Sequence, residues 1–380
     1  MTHFDRRAWL RSLAMAFGAV GVARLGAKSS SAPAAGADDP QLVRLSLNEN
    51  PYGPAPAAVS ALQREFSNLC RYTGAELDVL IGAIAAKEGV RKDQVILGEI
   101  LEPLGTYLSL QGGAGGEFIY SDPGYTALID SAVAVGGHAV AISLNSRMEN
   151  DLPAIAARVN ERTRAVYLVN PHNPTGIVSG LEQLRDFART ISRRALVIVD
   201  EAYLEFADRF AQRTLTDLVR GGDNVIVFRT FAKVYGLAGL DIGYGLVPVP
   251  IAKALSDQGL NNPHLFNRLA VAAATASLQD AGYVARVAAE VGREREKWFQ
   301  LFHDLSLHFT PSVGNFVFFE TGIPNSEFAA ALLKGGVVIG HAFPPYDRWA
   351  RISIGLPREN EIARSRVRQV LRATQQHTPA

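Results

Sequence analysis

The chain has 380 residues, of which 48% are hydrophobic and 20% are charged, and its formal net charge is +1. This length and hydrophobic content predict a large buried core divided between two domains, and the near-neutral charge excludes nucleic-acid binding through a basic surface. The single cysteine, Cys70, excludes an intramolecular disulfide. No spacing of His, Cys, Asp or Glu predicts a metal site.

The first 37 residues have the pattern of an export leader. Residues 5–11 read DRRAWLR, which matches a twin-arginine signal, and a short apolar stretch and an Ala/Ser-rich tract follow. The apolar stretch is too short to span a bilayer comfortably. We therefore predict a signal peptide and linker over 1–37, the twin-arginine export machinery as a partner, and a periplasmic location. A leader that is not cleaved would instead anchor the protein to the membrane.

Six short apolar runs alternate with helical patterns between Val95 and Val247. Strands as continuously apolar as these are buried on both faces, which predicts a mainly parallel sheet between two layers of helices. The runs span residues 95–97, 118–120, 139–142, 165–169, 196–199 and 225–228. We predict an α/β fold with an arm and small-domain segment over 38–75, a large domain over 76–262 and a smaller α/β domain over 263–380.

Polar side chains follow four of these runs. Asn173, Asp200 and Thr230 each come directly after a run or within a few residues of it. The carboxyl ends of parallel strands form the usual ligand-binding edge of such a sheet, so we expect these side chains to lie close together. Each residue alone is also common as a turn or cap residue. The other members of the predicted group are Tyr125, Tyr203 and Lys233.

The stretch around Lys233 carries a family resemblance. Residues 230–244 read TFAKVYGLAGLDIGY, which resembles the lysine segment of the class I/II aminotransferases and most closely that of their histidinol-phosphate aminotransferase branch. The similarity covers roughly residues 45–372. It implies a fold type I transferase with a mainly parallel seven-stranded sheet, pyridoxal 5'-phosphate as the cofactor, and Lys233 as the residue bonded to the cofactor aldehyde.

The resemblance also assigns roles around the cofactor ring. Asp200 would keep the ring nitrogen protonated, and Asn173 and Tyr203 would donate hydrogen bonds to the phenolic oxygen. Tyr125 would stack on the ring, and the Thr230 hydroxyl would contact the phosphate. Lys233, Asp200 and Tyr203 are the predicted catalytic residues, with Lys233 moving the substrate α-proton.

Further roles concern the substrate and a second subunit. Residues 351–355 read RISIG, and by resemblance Arg351 would bind the substrate carboxylate through a bidentate pair. A structural salt bridge is the alternative for Arg351. Asn173 and Tyr52, the latter in the N-terminal arm, are the other predicted substrate contacts. The position of Tyr72 implies a contact with the cofactor phosphate of a partner subunit, and hence a homodimer.

The sequence departs from the family at the expected phosphate site. Glu99 stands in a segment where the family has small residues, Ala232 replaces a serine, and Asp241 replaces an arginine. These changes predict weak phosphate binding unless Asp241 points elsewhere, because two charges at about 4 Å interact by up to roughly 4 kcal/mol at an effective dielectric constant near 20. Gly340 stands where histidinol-phosphate enzymes often have an arginine, which argues against histidinol phosphate as the substrate.

Three functions are consistent with the sequence. The first is a pyridoxal-phosphate-dependent aminotransferase acting on an amino acid or related amine and a 2-oxo acid. The second is a decarboxylase or lyase that uses the same cofactor on the same fold. The third is a non-catalytic binding protein that has lost its cofactor through the changes at Glu99, Ala232 and Asp241.

Overall fold

The structure is a computed structural model that describes residues 42–111, 113 and 115–375. The predicted leader over 1–37 lies outside the described residues. Among the described residues, no helix combines the length and the apolar character needed to cross a bilayer. The boundaries between the three predicted folded segments, 38–75, 76–262 and 263–380, stay predictions.

Eleven strands of the described chain form three sheets. In chain order they are β1 Val43–Leu45, β2 Val95–Leu97, β3 Glu117–Asp122, β4 His138–Ser143, β5 Thr163–Val169, β6 Leu196–Asp200, β7 Val225–Thr230, β8 Gly243–Leu246, β9 Phe316–Glu320, β10 Val337–Ile339 and β11 Trp349–Ser353. The large sheet has seven strands in the order β2-β8-β7-β6-β5-β3-β4. Only β8 runs antiparallel to its neighbours, so the predicted mainly parallel seven-stranded α/β sheet is confirmed.

Helices cover both faces of this sheet. The α-helices are α1 Pro56–Glu65, α2 Ala75–Glu88, α3 Leu101–Leu110, α4 Ala127–Ala134, α5 Leu152–Arg158, α6 Leu181–Ile191, α7 Phe210–Arg213, α8 Thr216–Gly221, α9 Val249–Asp257, α10 Arg268–Gln279, α11 Ala281–Asp304, α12 Asn325–Lys334 and α13 Pro357–Gln375. Alternate residues of β6 enter different cores: Val197 and Val199 pack with α2 and α6, whereas Leu196 and Ile198 pack with α3 and α9. This alternation explains why the strand sequences are apolar throughout.

The seventh strand, β8, was not among the predicted apolar runs. It contains Gly243 and Gly245, which have little strand preference. A β-carbon on Gly245 would lie 2.2 Å from the Ile100 side chain, and one on Gly243 would lie 2.8 Å from the Arg229 carbonyl oxygen. Close packing therefore requires glycine at both positions, and it removes the apolar pattern by which a strand is predicted.

Two small sheets bring the remaining segments together. β1 pairs in parallel with β10, and β9 pairs antiparallel with β11, where Arg351 lies opposite Phe318. The sequence pattern predicts helices over 76–88, 268–278 and 284–301, and these correspond to α2, α10 and α11. The pattern of residues 312–319 also predicts a strand. The strand begins later, at Phe316, because Ser312 instead makes a turn hydrogen bond to the Phe316 carbonyl oxygen.

Candidate active site

A cavity of about 510 Å³ opens at the carboxyl ends of β5, β6 and β7. Seven of the nine predicted site residues line it: Tyr125, Asn173, Asp200, Tyr203, Thr230, Lys233 and Arg351. They come from separate strands and loops between residues 125 and 351 of the sequence. The strand-end prediction therefore locates the cavity correctly.

Lys233 lies in the loop between β7 and β8. Its Nζ atom is 3.4 Å from the Leu47 carbonyl oxygen and 5.7 Å from the centre of the Tyr203 ring. The loop itself is held by backbone hydrogen bonds from Phe231 to Ile242 and from Leu237 to Phe231. The amine thus has one long hydrogen bond and sits on a well-anchored loop, as a reactive lysine requires.

Asp200 ends β6 and is only 3% exposed. Its Oδ2 accepts a hydrogen bond of 3.0 Å from the Tyr167 hydroxyl, and its Oδ1 accepts one of 2.9 Å from the Ala202 N–H. Burial raises the pKa of the Asp200 carboxyl to about 6, although these two hydrogen bonds and the charge of Lys233 oppose the rise. Asp200 is thus a carboxylate that a buried positive charge would stabilise.

The Tyr203 hydroxyl accepts a 3.2 Å hydrogen bond from the Asn48 side-chain amide. Asn48 is itself fixed by Ser353 in β11, which donates to its Oδ1 and accepts from its backbone N–H. Because Tyr203 accepts from Asn48, its own hydroxyl hydrogen is free to point elsewhere. Asn48 adopts a left-handed conformation with φ of 54°, which asparagine tolerates better than most residues.

Arg351 projects from β11 and is buried. Its two terminal nitrogens donate to the Asn173 side-chain oxygen at 2.6 Å and to the Ser46 carbonyl oxygen at 2.8 Å. Its Nε atom is buried without a hydrogen-bond partner among the described residues. Burial lowers the pKa of the guanidinium, and no carboxylate faces it in an ion pair within the described chain. The alternative of a structural salt bridge therefore has no support in this geometry.

The two other predicted site residues, Tyr52 and Tyr72, do not line the cavity. Gly53, with φ of 72°, turns the chain there, and its carbonyl oxygen accepts a hydrogen bond from Tyr283 of α11. Tyr52 consequently packs against the core and its hydroxyl is buried without a partner among the described residues. Asn48, four residues earlier in the same segment, lines the cavity. Tyr72 is 73% exposed and lies against His264.

One end of the cavity is lined by the carboxyl groups of Glu99, Glu102 and Asp241. Glu99 Oε1 accepts a 2.6 Å hydrogen bond from the Thr230 hydroxyl, which in turn accepts from the Ala232 N–H. Burial, with the nearby charges of Asp200 and Asp241, raises the pKa of Glu99 to about 7. Asp241, which has a left-handed backbone conformation, is one of the residues that line the cavity, and its charge raises the pKa of Glu99.

A buried ionic network lies behind the cavity. Arg229, next to Thr230 in β7, is fully buried and donates to Glu88 at 3.0 Å and to Glu201 at 2.9 Å. Tyr244 of β8 also donates to Glu88. Because Glu201 and Arg229 are the immediate neighbours of Asp200 and Thr230, the network fixes the ends of β6 and β7.

Two residues that contribute to the site, Asn48 and Tyr167, were not predicted from the sequence. Asn48 lies in a segment where we singled out a tyrosine, and Tyr167 reads as one apolar residue of a buried strand. Tyr167 could have been found by asking which buried strand residue carries a hydroxyl that needs a partner. Within the described residues no group of three or more His, Cys, Asp and Glu side chains is placed to hold a metal ion.

Residues 40–367 match the family described as aminotransferase class I and II. The histidinol-phosphate aminotransferase of Moorella thermoacetica is 35% identical to this chain over 339 residues, which cover 87% of this chain and 86% of that protein. This chain belongs to the class I and II aminotransferase family. It is therefore a pyridoxal-phosphate-dependent aminotransferase, and the first of the three functions predicted from the sequence is confirmed.

Solved structures agree with this assignment. The histidinol-phosphate aminotransferase of Sinorhizobium meliloti, in complex with pyridoxal-5'-phosphate, is 30% identical with a TM-score of 0.79 and covers 87% of this aminotransferase and 91% of that chain. An aspartate aminotransferase from Thermotoga maritima is 20% identical with a TM-score of 0.77, covering 87% and 92% of the two chains, and shows that the fold is shared.

The cavity of this aminotransferase fits pyridoxal phosphate at the ring end. Asp200 offers a buried carboxylate for a protonated ring nitrogen, Tyr203 has a free hydroxyl hydrogen, and Lys233 has an amine with one long hydrogen bond. At the phosphate end, α3 begins beside Glu99 without a side-chain cap, so its first N–H groups are available to an anion. Whether the phosphate group also fits at this end of the cavity depends on whether Glu99 is ionised.

Proposed function

We propose that this aminotransferase moves amino groups between an unphosphorylated amino acid and a 2-oxo acid, with chemistry at Lys233 and substrate binding at Arg351. The observation that carries the proposal is that a lysine, a buried carboxylate at Asp200 and a buried arginine with an unused N–H line one cavity. A substrate carboxylate could occupy that unused guanidinium position. The acidic residues Glu102 and Asp241, which line the same cavity, disfavour a second phosphate from the substrate.

The residues have distinct roles in this proposal. Pyridoxal phosphate, when bound, withdraws electrons from the substrate α-carbon. Lys233 removes the α-proton and returns a proton in the next step. Asp200 stabilises positive charge on the ring nitrogen, and Tyr203 donates a hydrogen bond to the phenolic oxygen. Arg351 and Asn173 orient the substrate through its carboxylate.

The test combines spectroscopy with product analysis. Purified mature protein is titrated with pyridoxal phosphate, reduced with borohydride and mapped by peptide mass spectrometry. We expect a covalent adduct on Lys233 and amino transfer from a panel of amino acids to a 2-oxo acid. Lys233→Ala should lose both, whereas the exposed Lys253→Ala, which removes only a surface pair with Asp257, should retain both. Release of carbon dioxide without amino transfer would instead favour the decarboxylase.

We also propose that the protein is a homodimer. An exposed apolar face comprises Phe66, Leu69, Tyr72 and Leu265, of which Tyr72 and Leu265 are each 73% exposed. Large apolar side chains clustered in this way are typical of a protein interface. In the dimer, Tyr72 would reach the cofactor phosphate of the partner subunit, which is consistent with its position outside its own cavity.

Analytical ultracentrifugation tests the dimer. Wild-type protein should sediment as a dimer and Leu265→Asp as a monomer. Tyr72→Phe should stay dimeric but bind pyridoxal phosphate more weakly, because it loses only the hydroxyl. A monomeric wild-type protein would refute the proposal.

We propose, finally, that the protein is exported to the periplasm by the twin-arginine route, with retention in the membrane through an uncleaved leader as the alternative. The support is the DRRAWLR motif at residues 5–11. Cell fractionation of wild-type protein and of the Arg6→Lys/Arg7→Lys double variant tests this. We expect wild-type protein in the periplasm and the variant in the cytoplasm.

A further inference from the structure

The acidic end of the cavity conflicts with the charge of the cofactor. A phosphate monoester carries about −1.5 to −2 charges near pH 7. The cations lining the cavity are Lys233, which the proposed function assigns to the cofactor aldehyde, and Arg351, which already donates to Asn173 and Ser46. An ionised Glu99 would therefore add a repulsion, and Lys233 is the lysine or arginine of the cavity lining whose charge acts on Glu99.

The geometry of Glu99 shows how the conflict is resolved. Oε1 accepts the hydrogen bond from Thr230 and is packed so closely that a β-carbon on Gly243 would lie 2.9 Å from it. Oε2 has no hydrogen-bond partner among the described residues. The orientation of the carboxyl group is thus fixed, with one oxygen bonded to the protein and the other free. The Thr230 hydroxyl hydrogen, which we predicted to reach the phosphate, is directed to Glu99 instead.

We infer that Glu99 binds the cofactor phosphate as a neutral carboxylic acid, with Oε2 donating a hydrogen bond to a phosphate oxygen while Oε1 accepts from Thr230. Carboxyl and phosphate then share one proton. Cofactor binding takes up that proton whenever Glu99 of the empty site is ionised. The inference rests on the proposed function, because it requires the cofactor to bind in this cavity.

The surroundings of Glu99 favour the neutral form. Burial has the largest effect on the pKa of Glu99, the charges of Asp200 and Asp241 raise it further, and Thr230 and Lys233 lower it, with a result of about 7. Glu102 at the start of α3 lines the same space and also disfavours a further negative charge. Glu99 is therefore mostly protonated at pH 6 and mostly ionised at pH 8.

The sign of the expected pH effect follows directly. Below about pH 7, Glu99 of the empty site already carries the proton. The contribution of Glu99 to the affinity for pyridoxal phosphate therefore does not change with pH in this range. Above this value each binding event must take up a proton, and linkage predicts a tenfold loss of affinity per pH unit. The rest of the cavity is the same in wild-type and variant proteins, so the ratio of their dissociation constants reports the difference that Glu99 makes.

The matched variant is Glu99→Gln. Glutamine keeps the acceptor for Thr230 and offers a permanently neutral N–H donor in place of Oε2. The dissociation constant of pyridoxal phosphate is measured by absorbance titration from pH 6 to pH 8.5 for both full-length proteins, with circular dichroism to verify folding. The ratio of the wild-type constant to the Glu99→Gln constant should be flat below pH 7 and rise about tenfold per pH unit above it.

Two further measurements make the result specific. Calorimetry at pH 8 in two buffers of different ionisation enthalpy should show about one more proton taken up by wild-type protein than by Glu99→Gln. Asp241→Asn removes a negative charge from the same cavity but should keep the extra proton uptake. Pyridoxal, which lacks the phosphate, should bind both proteins with a pH-independent ratio.

The outcomes separate the inference from the function. A ratio that is constant with pH, together with a borohydride adduct on Lys233, would overturn the role of Glu99 and leave the proposed function intact. Failure of Glu99→Gln to bind while wild-type protein binds would also overturn it. Absence of binding and of any adduct in both proteins would overturn the inference and the function together.

Discussion

Gly340 leaves room for the Arg351 guanidinium. A β-carbon at position 340 would lie 3.0 Å from the Arg351 carbonyl oxygen, 3.3 Å from its Nε atom and 3.4 Å from its Nη2 atom, and the first two distances are shorter than most such contacts. Position 340, where the sequence lacks a phosphate-binding arginine, thus lies against Arg351, the residue that we propose binds the substrate carboxylate.

Gly340→Ala should accordingly weaken substrate binding. The added methyl group displaces the guanidinium by a few tenths of an ångström, and we expect KM for the amino donor to rise roughly three- to tenfold with a smaller change in kcat. Gly292→Ala is the control, because Gly292 lies in α11 with only Arg295 within 4 Å of its β-carbon position. An unchanged KM in Gly340→Ala would show that Arg351 does not set substrate affinity.

Asn48→Gly should lower kcat because Tyr203 loses the hydrogen bond that helps to orient its hydroxyl group. Glycine accommodates the left-handed backbone of Asn48, so the substitution removes only the side-chain hydrogen bonds to Tyr203 and Ser353. We expect a roughly tenfold lower kcat and a loss of about 1–2 kcal/mol in the free energy of unfolding.

Asn261→Gly is the matched control for Asn48→Gly. Asn261 is also left-handed, and its side chain bonds to the backbone of Val95 and Leu97 in β2. Its loss should reduce stability but leave kcat unchanged. Equal kcat values for Asn48→Gly and Asn261→Gly would show that the Asn48 side chain has no role in catalysis.

Tyr167→Phe should make the enzyme more sensitive to acid. The Tyr167 hydrogen bond lowers the pKa of Asp200, so its removal raises that pKa above the value of about 6. Asp200 acts as a carboxylate, and activity is lost as pH falls through its pKa. The positive ring of the bound cofactor lowers the pKa in both proteins without changing the sign of their difference.

The measurement is kcat/KM from pH 5.5 to pH 8.5. We expect the ratio of Tyr167→Phe to wild type to decrease as pH falls. Tyr120→Phe, which removes a half-buried hydroxyl without a hydrogen bond to Asp200, should follow the wild-type profile. A parallel profile for Tyr167→Phe would mean that Asp200 ionisation does not limit activity.

Arg229→Met should destabilise the fold strongly. It leaves Glu88 and Glu201 buried without their cation, and breaking a buried ion pair costs about 3–5 kcal/mol. Burial already raises the pKa of Glu201, and the loss of Arg229 raises it further. A carboxyl group whose pKa is higher in the folded than in the unfolded protein stabilises the fold less as pH increases. The loss in the free energy of unfolding of Arg229→Met should therefore be larger at pH 8 than at pH 5.5.

Urea unfolding at these two pH values measures the effect. Arg147→Met is the control, because Arg147 forms an exposed pair with Glu149 that contributes no more than about 1 kcal/mol. A deficit below 1 kcal/mol for Arg229→Met at both pH values would contradict the proposed importance of the network.

The sequence predicts the position of the site better than its internal contacts. Residues after apolar runs, such as Asp200 and Thr230, line the cavity because parallel strands place their ends on one edge. The partners of these residues were not predictable in the same way. Tyr167 has the pattern of a core residue, and Tyr52 packs against the core although it lies in the segment that was predicted to reach the substrate.

The charge state of the acidic residues is a second property that the sequence did not predict. Glu99 and Asp241 were visible as departures from the family, and their charges suggested repulsion of the cofactor. The sequence cannot show that Glu99 is partly buried and hydrogen-bonded to Thr230, and these two features determine whether it carries a charge.

The lysine loop is closed at its base by the sheet. Thr230 in β7 lies opposite Gly243 in β8, so the twelve residues between them leave and re-enter the sheet at adjacent positions. Departure of the cofactor does not release the ends of this loop. We therefore expect the empty enzyme to keep Lys233 at the same place in the cavity and to be reloaded with cofactor without refolding.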